Sequence, residues 1–157
     1  MGTQQILMIV LSVIVVGAAV SVGIMMFDAQ SRNQARAAIY SDFLKFGTDI
    51  QAYFRTPVLM GGAGNSLANI DAGLLYFLTG GADINPYPTP NGEYYFSMVS
   101  LATPYIDIEI NSIPAASDWV AIARVFFDGR TIPAQGIDKG IWAYVGPGPL
   151  PSLPTGE

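Results

Sequence analysis

The feature that most constrains this chain is a run without a single charged residue, ILMIVLSVIVVGAAVSVGIMMF, from Ile6 to Phe27. As a helix rising about 1.5 Å per residue it would be roughly 33 Å long, enough to cross the hydrocarbon core of a bilayer. Its sixteen large apolar side chains would each gain about 1.5 to 3 kcal/mol on full burial, so the segment cannot stand free in water. It has to lie in lipid or against other helices. A cleavable secretory signal has a basic start and a shorter apolar core, whereas here no Lys or Arg precedes Arg32. An N-myristoylation signal wants Ser or Thr where this chain has Ile6. An ordinary single-pass anchor is oriented by basic residues near its cytoplasmic end. Met1 to Gln5 supplies none, a gap expected if a basic leader is removed from the N-terminus.

The small residues on the run point to contact between helices. Ser12, Gly17, Ala18, Ala19, Ser21 and Gly23 let backbones approach closely, and Gly17 with Ser21 has the small-xxx-small spacing. The expected assembly surface therefore combines Gly17 and Ser21 with Ile6, Leu7, Ile9 and Val10 at its start. It continues through Val13, Ile14, Val20 and Ile24.

After Asp28 the pattern becomes amphipathic. Ile39, Phe43, Phe46, Ile50 and Tyr53 or Phe54 recur at three- and four-residue intervals, one stripe of a helix. The remaining positions carry Asp28, Arg32, Arg36, Asp42, Lys45 and Asp49, with two opposite-charge pairs at i,i+4. Pro57 disfavours helix at Thr56, so the helix is expected to end near Arg55. The predicted organisation is one long helix over 1–55, with 1–27 an apolar assembly or membrane segment and 28–55 amphipathic. A globular head over 56–157 follows.

Within that head, a helical island is expected from an N-cap at Asn65 or Ser66, with Leu67, Ile70, Leu74 and Phe77 or Leu78 on one face and a stop at Gly80–Gly81. Beyond Gly92 the period falls to two. EYYFSMVSL, YIDIEINSI, DWVAIARVFF and GIWAYVG read as four antiparallel strands separated by turn formers. The alternation in YIDIEIN sends Ile106, Ile108 and Ile110 to one face, and Tyr105, Asp107 and Glu109 toward water. The Ile face, with Val120 and Ile122 and with Trp119 or Trp142 at the edge, is expected to cover the helix-to-sheet core of Ile39, Phe43, Phe46 and Ile50. The ending GPGPLPSLPTGE reads as an extended, polyproline-like tail. The fold class is thus α+β, a long N-terminal helix on a four-stranded antiparallel sheet.

Composition narrows the chemistry. The net charge of −5, without a basic cluster, makes nucleic acid an unexpected partner. With neither His nor Cys, the commonest general base, the thiolate metal sites and covalent haem attachment are all missing, so no enzyme activity and no cofactor are expected. Asp107, Glu109, Asp128 and Asp138 are acidic enough to raise calcium as a candidate, but DGRTIPAQGID lacks the dense acidic spacing of an EF-hand loop. They read as surface carboxylates. Tyr40, Phe43, Phe46, Tyr53 and Phe54 invite an electron-conducting reading, yet at helical spacing they fit a packed core better. Ser12 and Ser21 have no acid–base partner within the apolar run, and MGGAGN reads as a flexible loop.

This order of elements resembles the type IV pilin superfamily. Two details set this chain apart: counted from Met1 as the mature start, Gln5 stands where many pilins carry an early glutamate, and Met1 to Thr56 contains no proline, where many bacterial pilins have one in the apolar segment. The resemblance is therefore to a divergent or archaeal-type pilin-like subunit. It implies a structural subunit of an extracellular filament on the cell surface, stored in the inner or cytoplasmic membrane before assembly. The implied partners are copies of itself, the pilus assembly machinery and a prepilin peptidase. The alternative expectation is a single-pass membrane-anchored accessory or binding protein, such as a pseudopilin of a secretion machine.

Overall fold

The computed structural model describes residues 2–70, 72–81, 85–97, 104–113 and 118–155. A helix, α1, spans Gly2–Arg55 and stops just before the Thr56–Pro57 pair, and a second, α2, spans Ala72–Leu78. Five strands follow: β1 Tyr87–Thr89, β2 Gly92–Ser97, β3 Tyr105–Ser112, β4 Trp119–Phe126 and β5 Ile141–Pro147. They form one antiparallel sheet in the order β1-β2-β3-β4-β5. The fold class is α+β, a long N-terminal helix, apolar in its first half, with an antiparallel sheet packed on its second half. The chain divides into two compact units, Met1–Gln34 and Ala35–Glu157.

In the second unit, the Ala35–Arg55 part of α1 buries Ile39, Phe43, Phe46, Ile50 and Tyr53. Edge-to-face rings knit this stripe to the sheet: Phe43 packs on Tyr94, and Phe46 packs on Tyr87, Tyr94 and Phe96. The strand register places Ile108 opposite Ala123 and Ile110 opposite Ala121, with Ile106 opposite Val125. Ala121, Ala123 and Val125 therefore share the core face with the three isoleucines, and Ile122 and Val120 do not. This corrects the expectation that Val120 and Ile122 cover the stripe. The helix comes close to the sheet at Gly47, over β5 and Val125. A Cβ built on Gly47 would lie 2.5 Å from Ile141 Cδ1 and 2.9 Å from its Cγ1. Trp119 packs at the border of this core, while Trp142 is paired with Arg124 on the opposite face.

Three further elements differ from expectation. The sheet has five strands, not four. The extra one, β1, is a three-residue edge strand whose Pro88 cannot donate to a ladder, which is why NPYPTPNG reads as turn alone. The helical island is split: a 3-10 turn at Leu67–Asn69 ends at Ile70, whose extended backbone separates it from α2. Asn69 competes for local structure there by donating from its side chain to the Ala63 carbonyl. The face of β3 assigned to water is also only partly wet, since Asp107 is buried. Of the predicted strand EYYFSMVSL, residues 98–101 lie outside the described residues.

Residues 56–65, which include MGGAGN, form a loop with hydrogen bonds back to the end of α1. Ala63 and Asn65 donate backbone N–H groups to the carbonyls of Tyr53 and Phe54, satisfying the end of α1. Gly64 donates to Thr56, and Gly62 sits where a Cβ would be 2.4 Å from the Thr56 carbonyl oxygen.

The close approach at Gly47 gives a prediction of sign. In an exposed helix, Gly→Ala stabilises by about 1 kcal/mol. Gly47→Ala should instead lower the urea midpoint of the second unit, because buried Ile141 has to leave its rotamer. Gly23→Ala, which meets nothing within 4 Å, should not. Phe43→Ala should cost about 3 to 5 kcal/mol. Near-UV circular dichroism of the full chain in detergent reads all three.

Candidate assembly surfaces

The first unit exposes what water tolerates least. All sixteen large apolar side chains from Ile6 to Phe27 are between 51 and 74 % exposed. The polar groups among them are already satisfied. Ser12 donates to the Ile9 carbonyl at 2.8 Å and Ser21 to the Gly17 carbonyl at 2.9 Å, so neither hydroxyl needs water. Open space surrounds Gly17 and Gly23. Every residue expected to take part in assembly, from Ile6 to Ile24, lies in this exposed helical segment. By length and hydropathy the segment is able to span a membrane. Charge returns at Asp28, whose carboxylate lies 3.3 Å from Arg32.

The second unit has a layered outer sheet face. Asp107 on β3 and Arg124 on β4 are register partners, and both are buried, at 9 and 7 % exposure. The guanidinium donates from Nε to Oδ1 and from Nη2 to Oδ2, each at 2.7 Å. Its carbon stands 3.8 Å from the ring centre of Tyr105. The third arm, Nη1, donates to the Pro154 carbonyl at 2.7 Å. Hydrogen bonding to Asp107 holds the guanidinium above even its ordinary high pKa. Ile122, Phe126 and Ile137 are buried as well, and the core that faces α1 includes none of them. The Pro-rich tail is thus part of the fold, through the bond from Arg124.

A third surface is the tip of the 56–65 loop. Val58 and Met60 are largely exposed, and Leu59 is fully so at 101 %. Further back along α1, Asp42 ties the helix to the β1–β2 turn by accepting bonds at 2.7 Å from both the Tyr94 hydroxyl and the Asn91 amide. Burial, reinforced by that carboxylate, holds Tyr94 protonated far above the usual phenol range.

Two of the four carboxylates weighed for calcium are each held by an arginine. Asp107 is held by Arg124, and Asp128 pairs with Arg130, which keeps its carboxyl below the usual range. Among the described residues, no three acidic groups converge on a common point. Phe43, Phe46 and Tyr53 lie in the core, with Tyr40 and Phe54 packed against it. Reading the sequence alone missed the roles of Arg124 and Asp42. The available signal for Arg124 was an opposite charge at the matching outward position of the next strand.

No family model, curated protein or solved structure matches the chain.

The Asp107–Arg124 pair makes a testable prediction. Arg124→Ala leaves a buried carboxylate unpaired and should cost about 3 to 5 kcal/mol. Replacing both partners, Asp107→Leu with Arg124→Met, should recover most of that loss. Urea midpoints of the two singles and the double measure the coupling, and additive losses would show that the pair does not act as a unit.

Proposed function

We propose that this protein is the structural subunit of an extracellular, type IV pilus-like filament, assembled through its apolar N-terminal segment. The observation that carries this reading is the complete exposure pattern from Ile6 to Phe27 in a single chain. Burying sixteen large apolar side chains represents tens of kcal/mol as an upper bound, roughly 1.5 to 3 kcal/mol each. A membrane can hold the segment before assembly, and copies of the same segment can replace the lipid afterwards. Gly17 and Ser21 favour the second environment, because small residues permit the close backbone contacts that lipid does not require. A contact whose two sides differ and that does not close generates an open helical polymer. In this reading the partners are other copies, the assembly machinery and a prepilin peptidase. The site of action is the cell surface, with the inner or cytoplasmic membrane as the store.

The second reading is a single-pass membrane-anchored accessory protein, such as a pseudopilin. It draws on the same segment's ability to span a bilayer. Gly17→Leu separates the two, since it enlarges a close contact without lowering hydrophobicity. A filament subunit should still insert in the membrane but give few or no filaments when cells are sheared and the supernatant is viewed by negative-stain microscopy and mass spectrometry. Normal filaments with Gly17→Leu would remove close packing at Gly17 from the account. An absence of filaments containing the unaltered chain would favour the anchor.

A further inference from the structure

The outer face of the sheet holds a charged side chain that is clamped from three directions and still reaches outward. Two bonds to Asp107 and the face of Tyr105 fix the plane of the Arg124 guanidinium. Its remaining arm is thereby aimed at a main-chain carbonyl, now that of Pro154. Beside it, Gln135, Trp142 and residues 152–155 line a small cleft of about 350 Å³. Leu153 and Pro154 are half-buried there. A fixed donor next to an aromatic wall is the arrangement that receives extended, proline-bearing segments. Such segments arrive pre-ordered and need no ladder of hydrogen bonds from their partner.

The connection to this segment leaves the sheet. The strand ladder ends at Pro147, and Gly148 follows with φ +100° and open space around it. From there to Thr155 the chain is neither helix nor strand. We propose that this face is a recognition site for an extended proline-bearing segment, filled in cis by residues 149–155, and that the same residues of a second copy dock there in exchange. The second copy is the occupant because every copy carries the segment that already fits. Swapping identical segments exchanges identical contacts, so the local concentration of neighbours decides the outcome. The inference rests on the filament reading only for its setting, in which copies lie side by side.

The chain contains no Cys, so introduced thiols report without background. Gln135→Cys marks the face and Ser152→Cys marks the tail; both positions line the cleft. In one full-length chain carrying both, a short bifunctional maleimide should close an intramolecular link. With a tagged Gln135→Cys chain and an untagged Ser152→Cys chain expressed together, the reagent should give a tagged–untagged pair. Leu150→Cys, which is half exposed and outside the cleft lining, should give little in place of Ser152→Cys. An intramolecular link without the mixed pair overturns the exchange, and equal coupling through positions 150 and 152 reduces it to chance collision. Failure of both the intramolecular link and the mixed pair removes the site itself. Microscopy of the same cells scores the filament reading separately. Filaments without the mixed pair leave the polymer and discard the exchange; the mixed pair without filaments does the reverse.

Discussion

The second unit depends on one contact, the seating of the Ile39–Phe43–Phe46–Ile50 stripe on the inner face of the sheet. Phe46 alone meets three rings from β1 and β2. Gly47 lets α1 come near enough for Ile141 to pack directly beneath it. Polar ties then fix the position of the helix at separate points. Asp42 gathers Tyr94 and Asn91, while Gln51 donates to the Lys139 and Phe126 carbonyls. Removing the stripe would turn the apolar inner face of the five strands toward water.

The sheet is finished on both sides, by different means. Toward α1 it is dry and aromatic. On the other side, Ile122, Phe126 and Ile137 are buried in a thinner layer that also contains the Asp107–Arg124 pair. A buried ion pair adds little net stability compared with apolar residues, but breaking it is costly. Its effect here is geometric: it holds a donor where an extended chain passes.

Much of this was readable in the sequence because periodicity reports burial directly. The stripe from Ile39 to Ile50, the alternation of YIDIEIN and the stop at Thr56–Pro57 each follow from a spacing rule that does not depend on the rest of the chain. The inward face of VAIARVF was not readable in the same way. Bulk suggested Ile122, whereas the register of β4 on β3 turns Ala121 and Ala123 inward, and that register is a tertiary fact. Strand β1 was hidden by its prolines, which mark turns as often as edges. The role of Arg124 depends on how β3 and β4 align, and the fully exposed Leu59 follows from no local rule at all.

The meander order of the sheet has a consequence for how the chain is made. Each strand pairs with the one that precedes it, so the sheet grows by short loop closures, the inexpensive kind in conformational entropy. The residue that meets Gly47, however, lies on the last strand. The contact at Gly47 therefore waits until β5 has left the ribosome, and until then the stripe is served only by the earlier strands. During synthesis the helix must stay in register with a sheet that has not yet been completed.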